Sequence, residues 1–232
     1  SSAVMSPVAP VVAVGSSATP GAARAGCVKF YDLEQRAEIW ALPESGGLVC
    51  FSGDGQSLVT VGAATVPGTS QITLWSLPER RLIKQVISKK VWNILAFSPD
   101  GRWVALAGVN SSAIEIWSVE QEHLALELVG HNGAIRALTF SPDSRLLATA
   151  GVDQIVRVWS VSSGELTATH IGHTDEIASL AFFPDGQRLA SASRDATVRL
   201  WSTAASDRKT PEHTGEGVHD SLLVSPDGQW WT

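Results

Sequence analysis

The sequence predicts an all-β fold, a β-propeller of four-stranded antiparallel blades, from two series of marker residues and the segments between them. A turn motif of the Ser-Pro-Asp-Gly type recurs with its proline, or the residue in its place, at positions 7, 53, 99, 142, 184 and 226. An aromatic series runs in phase with it, through Tyr31, Trp75, Trp117, Trp159 and Trp201. Short apolar runs separate these markers, and none shows the period of a helix. About five repeats of roughly 42 residues with four short strands each indicate sheets that stack radially as blades.

The repeat at residues 130–171 illustrates the predicted blade. Its apolar runs predict strands over 135–140, 145–150, 155–159 and 166–170. Between the first two strands lies Ser-Pro-Asp, which favours a turn because proline fixes φ and aspartate caps the turn. The markers divide one predicted domain, 1–232, into units of about 1–44, 45–87, 88–129, 130–171, 172–212 and a partial 213–232. The polar stretch 203–219, where the outer strand of the fifth unit falls, predicts a frayed strand or a loop.

Composition narrows the classes of function. The 17 basic and 23 acidic side chains give a net charge of −6, which argues against a nucleic-acid-binding protein. Two cysteines, Cys27 and Cys50, are too few for a disulfide scaffold or a four-cysteine metal site. No apolar run approaches the roughly 20 residues of a membrane span. Residues 1–5 lack the pattern of a signal peptide, and we expect a cytoplasmic protein without membrane insertion.

Two of the units resemble the WD40 repeat family. Gly130-His131 through Val158-Trp159-Ser160 and Gly172-His173 through Leu200-Trp201-Ser202 follow its Gly-His … Trp-Asp signature, with serine in place of the final aspartate. The resemblance implies a propeller that commonly has seven blades, for which 232 residues are too few. We therefore expect an incomplete ring, a fragment of a longer WD40-repeat protein that begins and ends within a repeat.

The resemblance further implies that hydrogen-bonded sets of four residues pin the blades. By position these sets are His131, Thr149, Asp153 and Trp159, and then His173, Ser191, Asp195 and Trp201. A buried aspartate and a buried indole N–H both need partners, which such a set supplies. Serine, histidine and aspartate also meet in hydrolases, but a group repeated in consecutive units favours a structural role, and we expect no catalytic residue. The first three units lack the set, with Ser88 and Ser111 in the third unit's His and Asp places, and we expect apolar packing alone to hold them.

Partner-binding positions also follow from the resemblance, which places them on the top face of the propeller. They are Val91, Asn93, Asn110, Ala134, Arg136, Val152, Glu176, Ala178 and Arg194. Arg136 and Arg194 are favoured because arginine is enriched in interface hot spots, with ordinary solvated surface residues as the alternative. Long loops at Gly15–Gly26 and Gly62–Ser70 are either functional or tolerated insertions.

These observations together predict a non-catalytic scaffold that binds peptides or protein domains, as a module of a larger signalling protein. The alternative is a ligand-binding or enzymatic propeller with its site at the central channel. Such a site needs carboxylates or histidines from several blades, whereas the corresponding positions here are Ala, Val, Asn and Arg. We expect no metal and no cofactor.

Overall fold

The structure, a computed structural model, is built from β-strands. It describes residues 2–16, 26–43, 47–64, 67–108, 110–121, 123–204, 214–216, 223–224 and 230–231. All regular elements within those ranges are strands, and each paired neighbour is antiparallel. Over the same ranges, a helix of the length and apolarity that a membrane crossing needs is not found.

The first two sheets take up the N-terminal part of the chain. The first sheet consists of β1 (Ser2–Met5), β2 (Val11–Ser16), β3 (Cys27–Asp32) and β4 (Ala37–Pro43). The second sheet consists of β5 (Leu48–Phe51), β6 (Ser57–Ala63), β7 (Ser70–Ser76) and β8 (Arg81–Ser88). In each sheet every strand pairs with the next strand along the chain.

The later strands repeat this arrangement. The third sheet consists of β9 (Trp92–Phe97), β10 (Trp103–Gly108), β11 (Ala113–Ser118) and β12 (His123–Val129). The fourth consists of β13 (Ile135–Phe140), β14 (Leu146–Gly151), β15 (Ile155–Ser160) and β16 (Leu166–Ile171). The fifth consists of β17 (Ile177–Phe182), β18 (Arg188–Ser193), β19 (Thr197–Ser202) and β20 (Thr214–Glu216). The last pair is β21 (Leu223–Val224) and β22 (Trp230–Trp231). The predicted all-β class with four-stranded antiparallel sheets is confirmed.

The outer strand of the fifth sheet lies later in the chain than the predicted unit boundary. β20 pairs Glu216 with Thr197 and Thr214 with Arg199 of β19, beyond the boundary at residue 212. Part of the polar stretch 203–219 is therefore a paired strand, which is one of the two alternatives that the sequence leaves open. The turn and aromatic markers do not fix this position, because backbone hydrogen bonds to β19 require no apolar pattern.

The chain divides into two compact units. The first comprises Ser1–Val104 and Val119–Glu122. In it, β1 and β2 pack against β5. The core between these two sheets is formed by Ala13, Val28, Phe30, Leu42, Val49, Phe51 and Leu58. Alternate residues of each strand supply this core, as the period-two pattern predicts.

The second unit comprises Ala105–Ser118 and His123–Thr232. In it, β13 and β14 of the fourth sheet pack against β17 of the fifth. The shared core contains Ala137, Ala148, Ala150, Val156, Val158, Ala168, Ile177, Leu180, Phe182, Leu189 and Trp201. Small alanines on the fourth sheet leave room for the large side chains of the fifth.

The Ser-Pro-Asp turns are stabilised by their serine. Ser141 Oγ donates to Asp143 Oδ1 at 2.6 Å and accepts from Leu146 N–H at 2.9 Å. Ser98 makes the same two contacts with Asp100 and Trp103. One serine thus joins both ends of the turn, which sets the register of the strands that follow.

Backbone hydrogen bonds hold together two loops at one end of the fourth and fifth sheets. Val152 N–H, between β14 and β15, donates to Ala134 C=O before β13 at 2.9 Å. Arg194 N–H donates to Glu176 C=O in the same way at 3.0 Å. Among the predicted partner-binding positions of these sheets, Ala134, Val152, Glu176 and Arg194 lie on these loops, and Arg136 and Ala178 lie near the start of β13 and β17.

Candidate functional site

The fifth sheet contains a buried hydrogen-bond network centred on His173. Its Nε2 lies 2.7 Å from Ser191 Oγ, and its Nδ1 lies 2.7 Å from Asp195 Oδ2. Trp201 Nε1–H donates to Ser191 Oγ at 2.8 Å. The structure therefore brings together the four residues that the sequence groups in this unit, from a loop and from β18 and β19.

The protons of this network have one consistent assignment. Burial lowers the pKa of His173, and its hydrogen bond to Asp195 opposes this only in part. The imidazole is therefore neutral near pH 7 and carries one N–H. The indole can only donate to Ser191, so the serine proton points to Nε2 and the histidine proton, on Nδ1, points to Asp195.

Asp195 is an ionised carboxylate despite its location. Burial raises its pKa, but hydrogen bonds from Thr197, from Thr174 N–H and from His173 outweigh this and hold the pKa far below its usual value. Thr197 Oγ1 donates at 2.6 Å, and Thr174 N–H donates at 3.0 Å. The buried charge is thus satisfied by donors on both loops.

The fourth sheet repeats this network around His131. His131 Nε2 lies 2.8 Å from Thr149 Oγ1, and Nδ1 lies 3.0 Å from both carboxylate oxygens of Asp153. Trp159 Nε1–H donates to Thr149 Oγ1 at 2.8 Å. Burial raises the pKa of Asp153, but the His131, Asn132 N–H and Arg157 hydrogen bonds lower it by more.

Arg157 is a member of this network that the sequence reasoning missed. Its Nη1 donates to Asp153 Oδ2 at 2.6 Å and lies 2.8 Å from His131 Nδ1. In the fifth sheet the hydroxyl of Thr197 takes this place against Asp195. An arginine two residues before the tryptophan in both units, Arg157 and Arg199, is the sequence signal that could have indicated it.

The signature glycines make room for the tryptophan rings. A Cβ atom on Gly130 would lie 3.0 Å from Cη2 of Trp159. A Cβ on Gly172 would lie 2.6 Å from Arg199 Nη1 and 3.2 Å from Trp201 Cη2. The close approach of the indole therefore accounts for glycine before each network histidine.

The third sheet corrects one expectation from the sequence. Trp117 Nε1–H donates to Glu115 Oε2 at 2.9 Å, and Glu115 is buried. The expectation that apolar packing alone holds this sheet was therefore wrong. Leu106 stands where the fourth sheet has Thr149, so the indole bonds instead to the carboxylate two residues before it on its own strand.

A second histidine of the fourth sheet lies against the Trp201 ring without a polar partner. His170 is buried and stacks on Trp201 with ring centroids 5.1 Å apart, while His173 meets the same ring edge-on at 6.1 Å. Among the described residues neither ring nitrogen of His170 has a hydrogen-bond partner, and burial lowers the pKa of this histidine. Within the described ranges, His, Cys, Asp and Glu residues form no group of three or more that could hold a metal ion.

The serine–histidine pair does not present a reachable nucleophile. Ser191 and Thr149 are both fully buried. The Ser191 hydroxyl donates to His173 while its oxygen accepts from an indole, so both of its hydrogen-bonding roles are occupied. The chemistry that this arrangement supports is the fixing of two loops on the sheet.

Most of the predicted partner-binding positions of the second unit lie at its surface. Asn110, Arg136, Val152 and Arg194 are exposed, and Ala134, Glu176 and Ala178 are half-buried. In the first unit, Val91 and Asn93 are exposed on either side of the buried Trp92. Arg136 and Ala178 both lie at irregularities in the pairing of β13 and β17, and such bulges redirect a side chain.

Three of these residues form what we call the Arg136–Glu176–Arg194 cluster. Arg194 Nη1 lies 2.5 Å from Glu176 Oε1, and Arg136 Nε lies 3.3 Å from Glu176 Oε2. The Glu176 side chain is 13% exposed, against 40% for Arg136 and 62% for Arg194. A half-buried carboxylate thus holds two exposed guanidinium groups side by side. The long loops named in the sequence analysis lie partly outside the described residues, at 17–25 and 65–66.

Comparison with known protein families agrees with the repeat signature. Residues 123–160 and 164–202 each match the model of the family described as "WD40: WD domain, G-beta repeat". No curated protein sequence matches the chain significantly. The two matched segments run from β12 to β15 and from β16 to β19, and they contain every member of both buried histidine networks.

Proposed function

We propose that this chain, which carries WD40 repeats at 123–160 and 164–202, is a non-catalytic scaffold for protein interaction. Proteins with such repeats typically serve as interaction scaffolds. We propose further that its sheets are blades of a propeller and that a peptide or protein domain binds at the Arg136–Glu176–Arg194 cluster.

The observation that carries the binding site is the sharing of one carboxylate between two arginines. Two guanidinium groups face one carboxylate, so Glu176 by itself balances only one of their two positive charges. Each guanidinium has further N–H donors that Glu176 does not use. The cluster therefore suits a partner that presents carboxylates.

The buried networks support this proposal because they fix the cluster's loops. Arg194 directly precedes Asp195, whose carboxylate is bound by His173, Thr174 and Thr197. Glu176 is held to the same loop by the backbone hydrogen bond from Arg194. Rigid loops lose little conformational entropy on binding, so few contacts are enough for affinity.

Affinity capture with a charge-reversed variant tests this proposal. The bait pair is the wild-type chain and Arg136→Glu/Arg194→Glu, and captured proteins are quantified by mass spectrometry. Arg145→Glu/Arg188→Glu is a matched control, because it makes the same change in charge at two exposed arginines outside the cluster, which pair with Asp143 and Asp185.

We expect specific partners to be lost from the cluster variant and kept by the control variant. Partners that persist on the cluster variant would place the binding surface elsewhere. Equal loss from both variants would show that net charge, not the cluster, determines capture.

A further inference from the structure

A cleft in the first unit lies between the first and second sheets, apart from the cluster proposed above. It has an accessible volume of about 190 Å³ and opens to solvent. Its walls include Phe30, Trp40, Phe51 and Leu77, and Val8 and Arg80 stand among its lining residues. Phe30 and Trp40 stack with ring centroids 4.8 Å apart, so one wall is a rigid aromatic surface.

The cleft exists because the first sheet departs from the repeat at Trp40. Trp40 pairs with Phe30 across β3 and β4. The corresponding outer-strand residues are Lys84, Leu126 and Ala168 in the second, third and fourth sheets. An indole in this place gives the first sheet a larger apolar wall than its counterparts have.

A second departure is Val8 in the turn between β1 and β2. The other sheets have Asp54, Asp100, Asp143 and Asp185 at this position. Val8 is 63% exposed, and its Cγ2 lies close enough to Gly55 that a Cβ on this glycine would come within 2.3 Å. The first turn therefore presents an apolar side chain beside the cleft where the other turns carry a carboxylate.

Arg80 adds a positive charge to this apolar cleft. Its guanidinium lies over the Trp40 ring, 5.6 Å from the centroid, and has no ion-pair partner within the described part of the chain. By contrast Arg81 pairs with Glu79, and Lys29 pairs with Glu38. The nearest turn carboxylate, Asp54, accepts hydrogen bonds from Ser52 Oγ and Gln56 N–H.

We propose that this cleft is a docking site for a peptide segment that places a bulky apolar side chain next to a carboxylate. The apolar side chain lies between Val8, Trp40 and Phe51, and the carboxylate pairs with Arg80. The accessible volume of about 190 Å³ is below the range of about 300–1,000 Å³ that is usual for small-molecule sites, and it suits one large side chain of a peptide. An aromatic wall beside an arginine is the composition of interface hot spots.

Selection from a phage-displayed library of random dodecapeptides tests this site directly. The full chain is the target, and Val8→Asp/Arg80→Glu is the counter-target. Val8→Asp restores the turn residue of the other repeats, so the variant is expected to fold, and its thermal melt checks this. The matched control is Val129→Asp/Arg145→Glu, which makes the same substitutions in the second unit. Val129 is 69% exposed, and the side chain of Arg145 is 86% exposed.

We expect enriched peptides to pair Leu, Ile, Phe or Trp with a neighbouring Asp or Glu. Fluorescence polarisation should show a Kd that rises about tenfold or more in Val8→Asp/Arg80→Glu and stays unchanged in the control variant. Arg80→Ala, a surface substitution that leaves the core in place, should also weaken binding, and more for acidic peptides than for their amide analogues. Trp40→Leu introduces the residue that the third sheet has at this position, and it should weaken the binding of acidic peptides and of their amide analogues alike.

Three outcomes would overturn the proposal. They are the absence of enriched peptides that depend on Val8 and Arg80, enrichment of basic peptides, and equal binding of acidic and amide peptides to the wild-type chain. Arg136→Glu/Arg194→Glu should bind the selected peptides like the wild type. Failure at this cleft and failure at the Arg136–Glu176–Arg194 cluster are therefore distinguishable.

Discussion

The fourth and second sheets both bury a threonine at the same place in the register, yet they use it differently. Thr149 pairs with Arg157, and Thr60 pairs with Thr73, so both face the third strand two residues before its tryptophan. Thr149 accepts the Trp159 N–H and bonds to His131. In the second sheet Trp75 Nε1 is buried and finds no partner in the part of the chain that the structure describes, although Thr60 lies on the adjacent strand.

The difference between these sheets follows from the histidine. In the fourth sheet His131 binds the threonine on one side and Asp153 on the other, which orients the hydroxyl oxygen toward the indole. The second sheet has no such histidine and aspartate, and its threonine and tryptophan remain uncoupled. The comparison shows that the network, and not the individual hydroxyl, satisfies the buried indole.

The largest expected effect is the loss of a network histidine. His173→Ala leaves a cavity and removes the hydrogen-bond partner of Asp195 and Ser191. We therefore expect the free energy of unfolding to fall by about 3 kcal/mol. Ser88→Ala, at the corresponding position of the third unit, should change it by less than about 1 kcal/mol. Chemical denaturation measures both values.

The same experiment separates a structural role from a binding role. At a temperature well below the melting midpoint, His173→Ala should retain the partners of the wild-type chain. An unchanged midpoint, or a loss of partners without a loss of stability, would contradict the structural role of the network.

Removing one hydroxyl sharpens the comparison of the two sheets. Thr149→Val keeps the shape of the side chain but leaves Trp159 Nε1 and His131 Nε2 unpaired, so we expect a loss of about 2 kcal/mol. Thr60→Val should change stability by no more than about 0.5 kcal/mol, because its hydroxyl does not bond to Trp75. Equal losses in urea titrations of the two variants would show that the hydroxyl acts without the network.

The buried imidazoles predict acid destabilisation. Burial lowers the pKa of His170 and of His173, so the unfolded chain binds more protons than the folded chain once the pH falls below the ordinary histidine pKa of about 6.5. Stability should therefore fall between pH 7 and pH 5, by at most about 1.4 kcal/mol per pH unit for each histidine. The lowered pKa values of Asp153 and Asp195 act in a different window, since their contribution is lost only below the unfolded carboxyl pKa of about 3.9.

His170→Phe tests the share of the unpartnered histidine. Phenylalanine keeps a ring on Trp201 and does not titrate. The number of protons taken up on unfolding, which sets the slope of stability against pH, should therefore decrease by up to one, with no loss of stability at pH 7. Unfolding measured in a series of buffers from pH 7 to pH 5 provides this slope. A slope equal to that of the wild type would assign the titration to other groups.

The smallest expected effect is at the Arg136–Glu176–Arg194 cluster. Arg136→Ala and Arg194→Ala remove exposed halves of ion pairs, and each should change stability by about 0.5 kcal/mol or less. Thermal melts at low and high salt check this. A loss as large as that of His173→Ala would make the cluster a framework element and not a binding surface.

Sequence reasoning grouped the two sets of four residues because their spacings repeat, and the structure places each set within hydrogen-bond distance. It did not include Arg157, Thr197 or Glu115, because the acceptor that a long polar side chain reaches depends on the loop it faces. It also assigned no role to His170. The stacking of His170 on Trp201 joins residues of two different sheets, and a repeat pattern contains no information on such contacts.

The sequence by itself determined the strands, the turns and the repeat, because period-two apolar runs and Ser-Pro-Asp turns are local properties of the chain. It also determined the composition of the two histidine networks, since their members keep constant spacings from one repeat to the next. The tertiary structure alone decided that Glu176 holds two arginines together and that Val8, Trp40 and Arg80 share one cleft. These residues are far apart in the chain, and only the packing of one sheet against the next brings their side chains within reach of one another.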